Sequence, residues 1–254
     1  MLLAVDVGNS QTAVGVFDGP RLVERWRVAT SSNRTQDEYR LLFEGLLGMT
    51  DLVIDSAVVA SVVPAVTRPL RTSLEALAGG SVLAVGAGIK TGMPMQLDNP
   101  REVGADRVAN AVAAKERYGT PVIVVDFGTA TTVDAVDASG AFRGGAISAG
   151  IAIALDALVE STSALRRVDL VVPPSVIGRN TAEAIQSGML YGFAGLVSGL
   201  VDRFRIELGG GEIPVVATGG FAPTLAPLLT FPCQIDEHLT LVGLQSLFAR
   251  NVGQ

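Results

Sequence analysis

Cysteine, histidine and tryptophan are almost missing from this chain of 254 residues, which has one of each. Because Cys233 is the only cysteine, no disulfide can form within the chain, and with His238 as the only histidine a Cys/His zinc site is not expected. Any bound metal should therefore be a hard cation held by oxygen ligands. We expect both residues to have ordinary packing or surface roles.

Basic residues are fewer than acidic ones, 19 against 25, so the formal net charge at pH 7 is −6. Non-specific binding to nucleic acid needs a basic surface, so no nucleic-acid partner is expected. Hydrophobic residues make up 48% of the chain and charged residues 17%, which is typical of a globular protein and excludes a disordered one.

An uncharged run at residues 184–201 is close to the length that spans a membrane. It contains Gln186 and two serines, and Glu183 and Asp202 bound it, so we expect a buried helix and no membrane span. Its glycines lie at positions 188, 192, 195 and 199. They leave a smooth face that suits either a dimer or domain interface or the inside of a core. The N-terminal run MLLAV lacks a basic region and is too short to be read as a signal peptide.

Apolar strand patterns alternate with helical ones along the chain. Strands are predicted at about 2–7, 12–18, 22–29 and 56–63. Thr35 and Glu38 have the spacing of a capping box at the start of a helix. This alternation is typical of an α/β fold.

The segment DFGTATT in the second half resembles DVGNSQT in the first. Asp126 follows Asp6 by 120 residues, and at this offset Gly128 lies over Gly8, Thr129 over Asn9 and Thr132 over Thr12. An apolar strand precedes and follows each turn, although a match this short also occurs by chance. We interpret it as an internal duplication with halves at 1–117 and 118–254, and two such halves around a cleft would bring their turns face to face.

Each turn combines backbone N–H groups and small polar side chains with a glycine, which suits phosphate oxygens. Asp6 and Asp126 would repel a triphosphate unless a cation such as Mg²⁺ intervened, so the pair predicts metal–nucleotide binding. The P-loop motif G-x-x-x-x-G-K-[ST] does not occur, and GAGIKTG at 86–92 is expected to be a loop. The double glycine of ATGG could let the backbone approach a base or ribose, or could be an ordinary loop.

Residues 104–107, GADR, begin a predicted helix. An acid in a first turn is commonly explained by the helix dipole alone, which is the simpler interpretation of Asp106. Arg107 is electrostatically unfavourable at that position, and an anionic ligand would explain it. In that case Asp106 could act as a base on a bound hydroxyl, with Arg107 binding the anion.

DVGNSQT, EVGADRVANAVAA and DFGTATTVD occur in this order in the type III pantothenate kinases, which the chain resembles from residue 2 to about 248. The segments VASVVP, GGAISAG, GRNTAEAI, ATGG and HLTLVGL are also similar to that family. The resemblance implies the actin, hexokinase and Hsp70 superfamily, with two duplicated ribonuclease-H-like (actin-like ATPase) halves around a nucleotide cleft. The implied reaction transfers the γ-phosphoryl group of ATP to pantothenate, giving 4′-phosphopantothenate in the first step of coenzyme A biosynthesis.

The resemblance also implies roles for individual residues. ATP would be bound by Asp6, Val7, Gly8, Asn9, Ser10, Gln11, Thr12, Ala13 and Thr129. Pantothenate would be bound by Gly104, Ala105, Asp106, Arg107 and Thr181, with Asp106 as the general base and Thr181 acting across a dimer interface. Asp6 would face Mg²⁺ through phosphate or water, and Asp126 would hold a monovalent cation, K⁺ or NH₄⁺. A cytoplasmic homodimer without membrane partners is expected.

Two positions depart from the family pattern. Ser10 replaces a frequent threonine and keeps the hydroxyl, whereas Leu97 replaces a frequent tyrosine near the substrate. The alternatives are a non-catalytic relative acting as a regulatory accessory factor, a kinase of another small alcohol and, more distantly, a structural protein of the actin type. The intact GADR and aspartate turns argue against the first alternative.

Overall fold

The structure, a computed structural model, describes residues 1–252. It divides into two compact units. The first comprises Met1–Glu116 together with the segment that begins at His238, and the second comprises Arg117–Glu237.

The first unit is a five-stranded mixed sheet covered by helices. Its strands are β1 (Leu2–Val7), β2 (Gln11–Asp18), β3 (Arg21–Ala29), β4 (Ser56–Ser61) and β5 (Val82–Ala84). Its helices are α1 (Gln36–Leu47), α2 (Pro64–Ala78), α3 (Ala105–Tyr118), whose last two residues belong to the second unit, and α7 (Leu239–Val252), with a 3₁₀ turn at Pro100–Glu102. A core cluster joins one face of β1, β2 and β4 to α1 and α2.

The second unit has the same plan. Its strands are β6 (Val122–Phe127), β7 (Ala130–Val136), β8 (Phe142–Ala149), β9 (Val215–Thr218) and β10 (Gln234–Ile235). Its helices are α4 (Ile151–Glu160), α5 (Thr181–Glu207) and α6 (Ala222–Leu225), followed by a 3₁₀ turn at Ala226–Leu228. A core cluster joins β6, β7 and β9 to α4, α5 and α6.

The two sheets have equivalent strand orders, β3-β2-β1-β4-β5 and β10-β9-β6-β7-β8. In each, the first strand pairs antiparallel with the second and parallel with the fourth, and the fourth pairs parallel with the fifth. The predicted α/β fold and its duplication are therefore confirmed.

Local signals account for several helix boundaries. Both hydrogen bonds of the predicted Thr35–Glu38 capping box are present at the start of α1. Pro64 begins α2, where its missing N–H is not needed, and Gly79 ends it at a φ of 62°. GAGIKTG contains no helix or strand, as predicted.

The last helix differs from the predicted halves of 1–117 and 118–254. Helix α7 packs against β1, β2 and β4 of the first unit, and a Cβ on Gly243 would collide with the backbone of Ala109 in α3. Its buried side chains include Leu239, Leu244 and Leu247. The chain therefore returns to the first sheet after Glu237, because that sheet has a second apolar face to cover.

Helix α5 contains the uncharged run and is buried along one face only. Its length and composition would allow it to cross a membrane, and 39% of its most apolar window is buried inside the protein. A Cβ on Gly188, Gly192 or Gly195 would meet no atom within 4 Å, so the glycine face points away from the core. The expectation of a buried helix is thus correct for one face and wrong for the other.

Candidate active site

The first turn connects β1 to β2 at the carboxyl end of β1. Asp6 is half-buried and pairs in register with Ala13 on β2 and Ala60 on β4. The Gly8 N–H donates to the carbonyl of Gln11 at 3.0 Å, which closes the turn. Asn9 and Ser10 are exposed, so the polar groups of the turn are accessible to a ligand.

Thr30, which the sequence analysis missed, holds this turn in place. Its hydroxyl donates to the carbonyl of Gly8 at 2.7 Å and lies 2.9 Å from the hydroxyl of buried Thr12. Its backbone N–H donates to the carbonyl of Ser10 at 3.1 Å. The turn is therefore fixed at both ends by one residue, which shapes its backbone before any ligand binds.

The second turn connects β6 to β7 in the same way. Asp126 is half-buried, and the burial pattern along β6 is identical to that along β1. The Gly128 N–H donates to the carbonyl of Ala130, and the Gly150 N–H donates to the carbonyl of Thr129, both at 3.0 Å. Gly150 precedes α4, and no side chain caps that helix.

The backbone hydrogen bonds show that the alignment of the two turns predicted from the sequence, at a constant offset of 120 residues, is wrong after the glycine. Gly8 bonds to a carbonyl three residues on, whereas Gly128 bonds to one two residues on, so the second turn is one residue shorter. Strand register then places Phe127 opposite Thr131 as Val7 is opposite Thr12. Thr129 is thus equivalent to Ser10 and not to Asn9. Likewise Thr131, and not Thr132, is equivalent to Thr12.

The double glycine of ATGG packs against the second turn. Asp126 is in register with Thr218 at the end of β9. Gly219 has a φ of 90°, and a Cβ there would collide with Oδ1 of Asp126 and with the backbone of Phe127. Gly220 has open space around its Cα. Only the first of the two glycines is therefore required by the packing, because its missing side chain leaves room for the carboxylate of Asp126.

The GADR segment lies at the carboxyl edge of the first sheet. The Val62 N–H donates to the carbonyl of Val7 at 3.1 Å, and a Cβ built on Gly104 would lie 3.9 Å from Cγ1 of Val62. The first unit therefore brings the start of α3 to the strand edge that carries Asp6.

Asp106 is half-buried and is oriented by its own helix. Its Oδ1 accepts a hydrogen bond from the N–H of Arg107 at 2.8 Å, and a Cβ on Gly104 would collide with that same oxygen. Among residues 1–252, no group donates a hydrogen bond to Oδ2 of Asp106. One carboxylate oxygen is thus fixed and the other is available.

Thr181 is exposed at the start of α5. The preceding Asn180 caps the helix by accepting from the N–H of Glu183 at 2.9 Å, and Oε2 of Glu183 accepts from the N–H of Arg179 at 2.8 Å. Within the described part of the second unit, no hydrogen bond links Thr181 to the second turn.

Two further features bear on cations and ligands. Among residues 1–252, no group of three or more His, Cys, Asp or Glu residues could hold a metal ion. A hard cation would therefore need ligands beyond the single carboxylate of each turn. A cavity of about 430 Å³ in the second unit is lined by Phe231, Pro232 and Cys233, and none of the predicted site residues lines it.

Sequence comparison gives one family. A family model described as type III pantothenate kinase matches residues 2–203. The chain is 47% identical over 267 residues to a type III pantothenate kinase of Streptomyces griseus, with full coverage of both chains. It is 48% identical over 258 residues to one of Myxococcus xanthus, with 99% of each chain covered.

Structural comparison shows the fold at low identity. A Campylobacter jejuni protein described as a putative Baf family transcriptional activator superposes with a TM-score of 0.64 at 17% identity, covering 99% of this chain and all of that one. The ROK hexokinase of Thermus thermophilus superposes with a TM-score of 0.51 at 15% identity, covering 97% of each chain.

Proposed function

Because this chain belongs to the type III pantothenate kinase family, we propose that its two aspartate turns and the GADR segment carry out the reaction of that family. The reaction is the phosphorylation of pantothenate in coenzyme A biosynthesis, and as a kinase the protein uses ATP. The observation that carries the assignment of residues is the geometry of Asp106, with one oxygen fixed by its helix and the other available.

Asp106 is the general base in this proposal. The fixed Oδ1 keeps the carboxylate at the helix start, and Oδ2 accepts the proton of the pantothenate hydroxyl as phosphoryl transfer proceeds. Gly104 and Ala105 line the same site, and Arg107 binds the carboxylate of pantothenate, for which a guanidinium is well suited. Thr181 contacts pantothenate from a second copy of the chain.

The phosphates of ATP bind to residues 6–13 and to Thr129. Their backbone N–H groups and short side chains supply hydrogen-bond donors at two turns whose shape is already fixed. Asp6 faces Mg²⁺ through phosphate or water, and Asp126 holds a monovalent cation, K⁺ or NH₄⁺. When bound, these cations neutralise phosphate charge, and their remaining ligands are oxygens from phosphate and water.

Replacing Asp106 by asparagine tests the base. The amide oxygen can still accept from the N–H of Arg107, so the helix start and ATP binding should remain. Turnover should fall by about 10² to 10⁴, the usual contribution of general-base catalysis. The assay is formation of 4′-phosphopantothenate, with exposed Asp98→Asn as the control. Near-normal turnover of Asp106→Asn would exclude the role given to it. A panel of other small alcohols in the same assay tests the substrate.

Asp126→Ala tests the cation. We expect it to abolish the activation by K⁺, because the variant lacks the carboxylate that we assign to the ion. Activity of wild type and variant is measured over a range of KCl concentrations at constant ionic strength. An unchanged response to K⁺ would place the cation elsewhere.

A cytoplasmic homodimer completes the proposal. The exposed glycine face of α5, beside exposed Leu196, supports a close approach of two helices. Light scattering should then give twice the chain mass of 26.2 kDa, and replacing Gly192 by a bulky residue should lower it. A monomeric mass for the unaltered protein would refute the dimer. Activity found in the membrane fraction of cells would refute the location.

A further inference from the structure

The two units differ in the segment that follows the third strand of each sheet, β3 in the first unit and β8 in the second. Gly150 follows β8 and donates to the second turn, as Thr30 follows β3 and donates to the first. In the second unit α4 starts at once, so its uncapped N–H groups lie beside the turn. In the first unit residues 31–35 intervene before α1, and they contain Arg34.

Arg34 has an unusual environment for an arginine. Its Nη1 is buried, and no residue among 1–252 accepts a hydrogen bond from it. None of the ion pairs in the described chain includes it. Buried donors almost always have a partner, and a charged donor without one is a place where a ligand is expected.

The guanidinium is held in position by an aromatic ring. Its Cζ lies 5.3 Å from the ring centroid of Tyr39, which is 2% exposed. The Tyr39 hydroxyl donates to the carbonyl of Ser31 at 3.1 Å, and the backbone N–H of Arg34 donates to the same carbonyl at 3.4 Å. Burial raises the pKa of Tyr39, so the ring stays neutral. The negative charge that acts on Arg34 is the carboxylate of Glu38, whose hydrogen bonds go to Thr35 and not to the guanidinium.

This arginine is tied to the first turn through its own segment. Ser31 follows Thr30, whose N–H and hydroxyl both donate to the turn. The segment that follows the second turn's partner strand thus begins a helix, whereas the corresponding segment of the first unit carries a cation held over Tyr39. Both are standard ways of binding phosphate.

We propose that Arg34 binds a phosphate oxygen of the nucleotide at the first turn. The proposal rests on the assignment of ATP to residues 6–13, and it adds a cationic ligand to that set. A guanidinium matches two phosphate oxygens in a way that a lysine ammonium does not.

Calorimetric titration with MgADP tests it. Arg34→Gln should bind MgADP about tenfold more weakly or worse, Arg34→Lys should lie between it and wild type, and the affinity for pantothenate should not change. Arg40→Gln is the matched control, because Arg40 is an exposed arginine on α1 paired with Glu44 at 2.7 Å. It should stay within about twofold of wild type.

Three results would overturn the proposal. In the first, Arg34→Gln binds MgADP within twofold of wild type while Asp6→Asn changes the affinity, which would exclude Arg34 as a ligand but keep the turn as the nucleotide site. In the second, neither variant changes the affinity, which would exclude the turn as well. Arg34→Met and Arg34→Lys could show equal affinities with equally lowered thermal stability, which would make Arg34 a packing residue. If Arg34→Gln does not fold, the comparison of Arg34→Lys with Arg34→Met decides.

Discussion

Gly219→Ala is the sharpest test of how the second turn is built, because Gly220 provides an adjacent control. Gly219 has a φ of 90°, and an added Cβ would collide with the Asp126 carboxylate and the Phe127 backbone. Gly220 is not among the glycines with positive φ, and an added Cβ there would meet no atom within 4 Å. The two substitutions are chemically identical, so only the environment differs.

The magnitude follows from two contributions. A left-handed backbone conformation costs a residue with a Cβ about 1–2 kcal/mol. Overpacking against fixed backbone costs about 1–3 kcal/mol. Gly219→Ala should therefore lower the free energy of unfolding by roughly 2–5 kcal/mol, a large part of the 5–15 kcal/mol that is typical of a native protein. Gly220→Ala should change it by less than about 1 kcal/mol.

Thermal unfolding is the assay. At about 2–4 °C per kcal/mol for a chain of this size, Tm should fall by roughly 4–20 °C for Gly219→Ala. The variant should also lose activation by K⁺, because the methyl group displaces the Asp126 carboxylate. Equal melting temperatures for the two variants would refute the reasoning, since the collision at Gly219 would then have been relieved at no cost.

Two further predictions concern the supports of the site. Thr30→Val removes the donor to Gly8 and leaves the buried Thr12 hydroxyl without that partner, which should cost about 1–3 kcal/mol and raise the KM for ATP. Thr72→Val is the control, because it removes an exposed hydrogen bond from a threonine hydroxyl within α2. Equal effects of the two substitutions would argue that Thr30 does not hold the first turn in place. For Tyr118, burial and then the charge of Asp236 raise the pKa above the ordinary value of a tyrosine. The raised pKa of Tyr118 therefore stabilises the folded state fully below about pH 10, and this contribution is lost as pH rises through the folded-state pKa. Urea denaturation from about pH 9 to pH 11 should show a steeper loss of stability in wild type than in Tyr118→Phe, and parallel curves would contradict this.

The sequence predicted features that depend on neighbouring residues. The capping box at Thr35 and Glu38 and the strand before each aspartate turn are local patterns, and the structure has them where expected. The duplication was also predicted, from a repeat whose spacing of 120 residues holds up to Gly8 and Gly128.

Features set by strand pairing could not be found in the same way. Thr30 acts on the first turn only because β3 returns beside β2 with Ala29 opposite Gln11, and no pattern near the turn reveals that register. The one-residue difference between the turns was hidden because the strands that precede them align without a gap. The unit to which α7 belongs depends on which face of which sheet is not covered by other helices, and that is a property of the folded unit.

The comparison of the two turns indicates what the shared acids are for. Asp6 and Asp126 have the same position and burial, but their neighbours on the adjacent parallel strands are Ala60 and Thr218. The turns also differ in length, and one is supported by Thr30 and the other by Gly219. A carboxylate kept for its packing would depend on those surroundings, and they are not shared. The proposed function accounts for the shared charge, because each acid would act at its own turn on phosphate accompanied by a cation, whatever supports that turn.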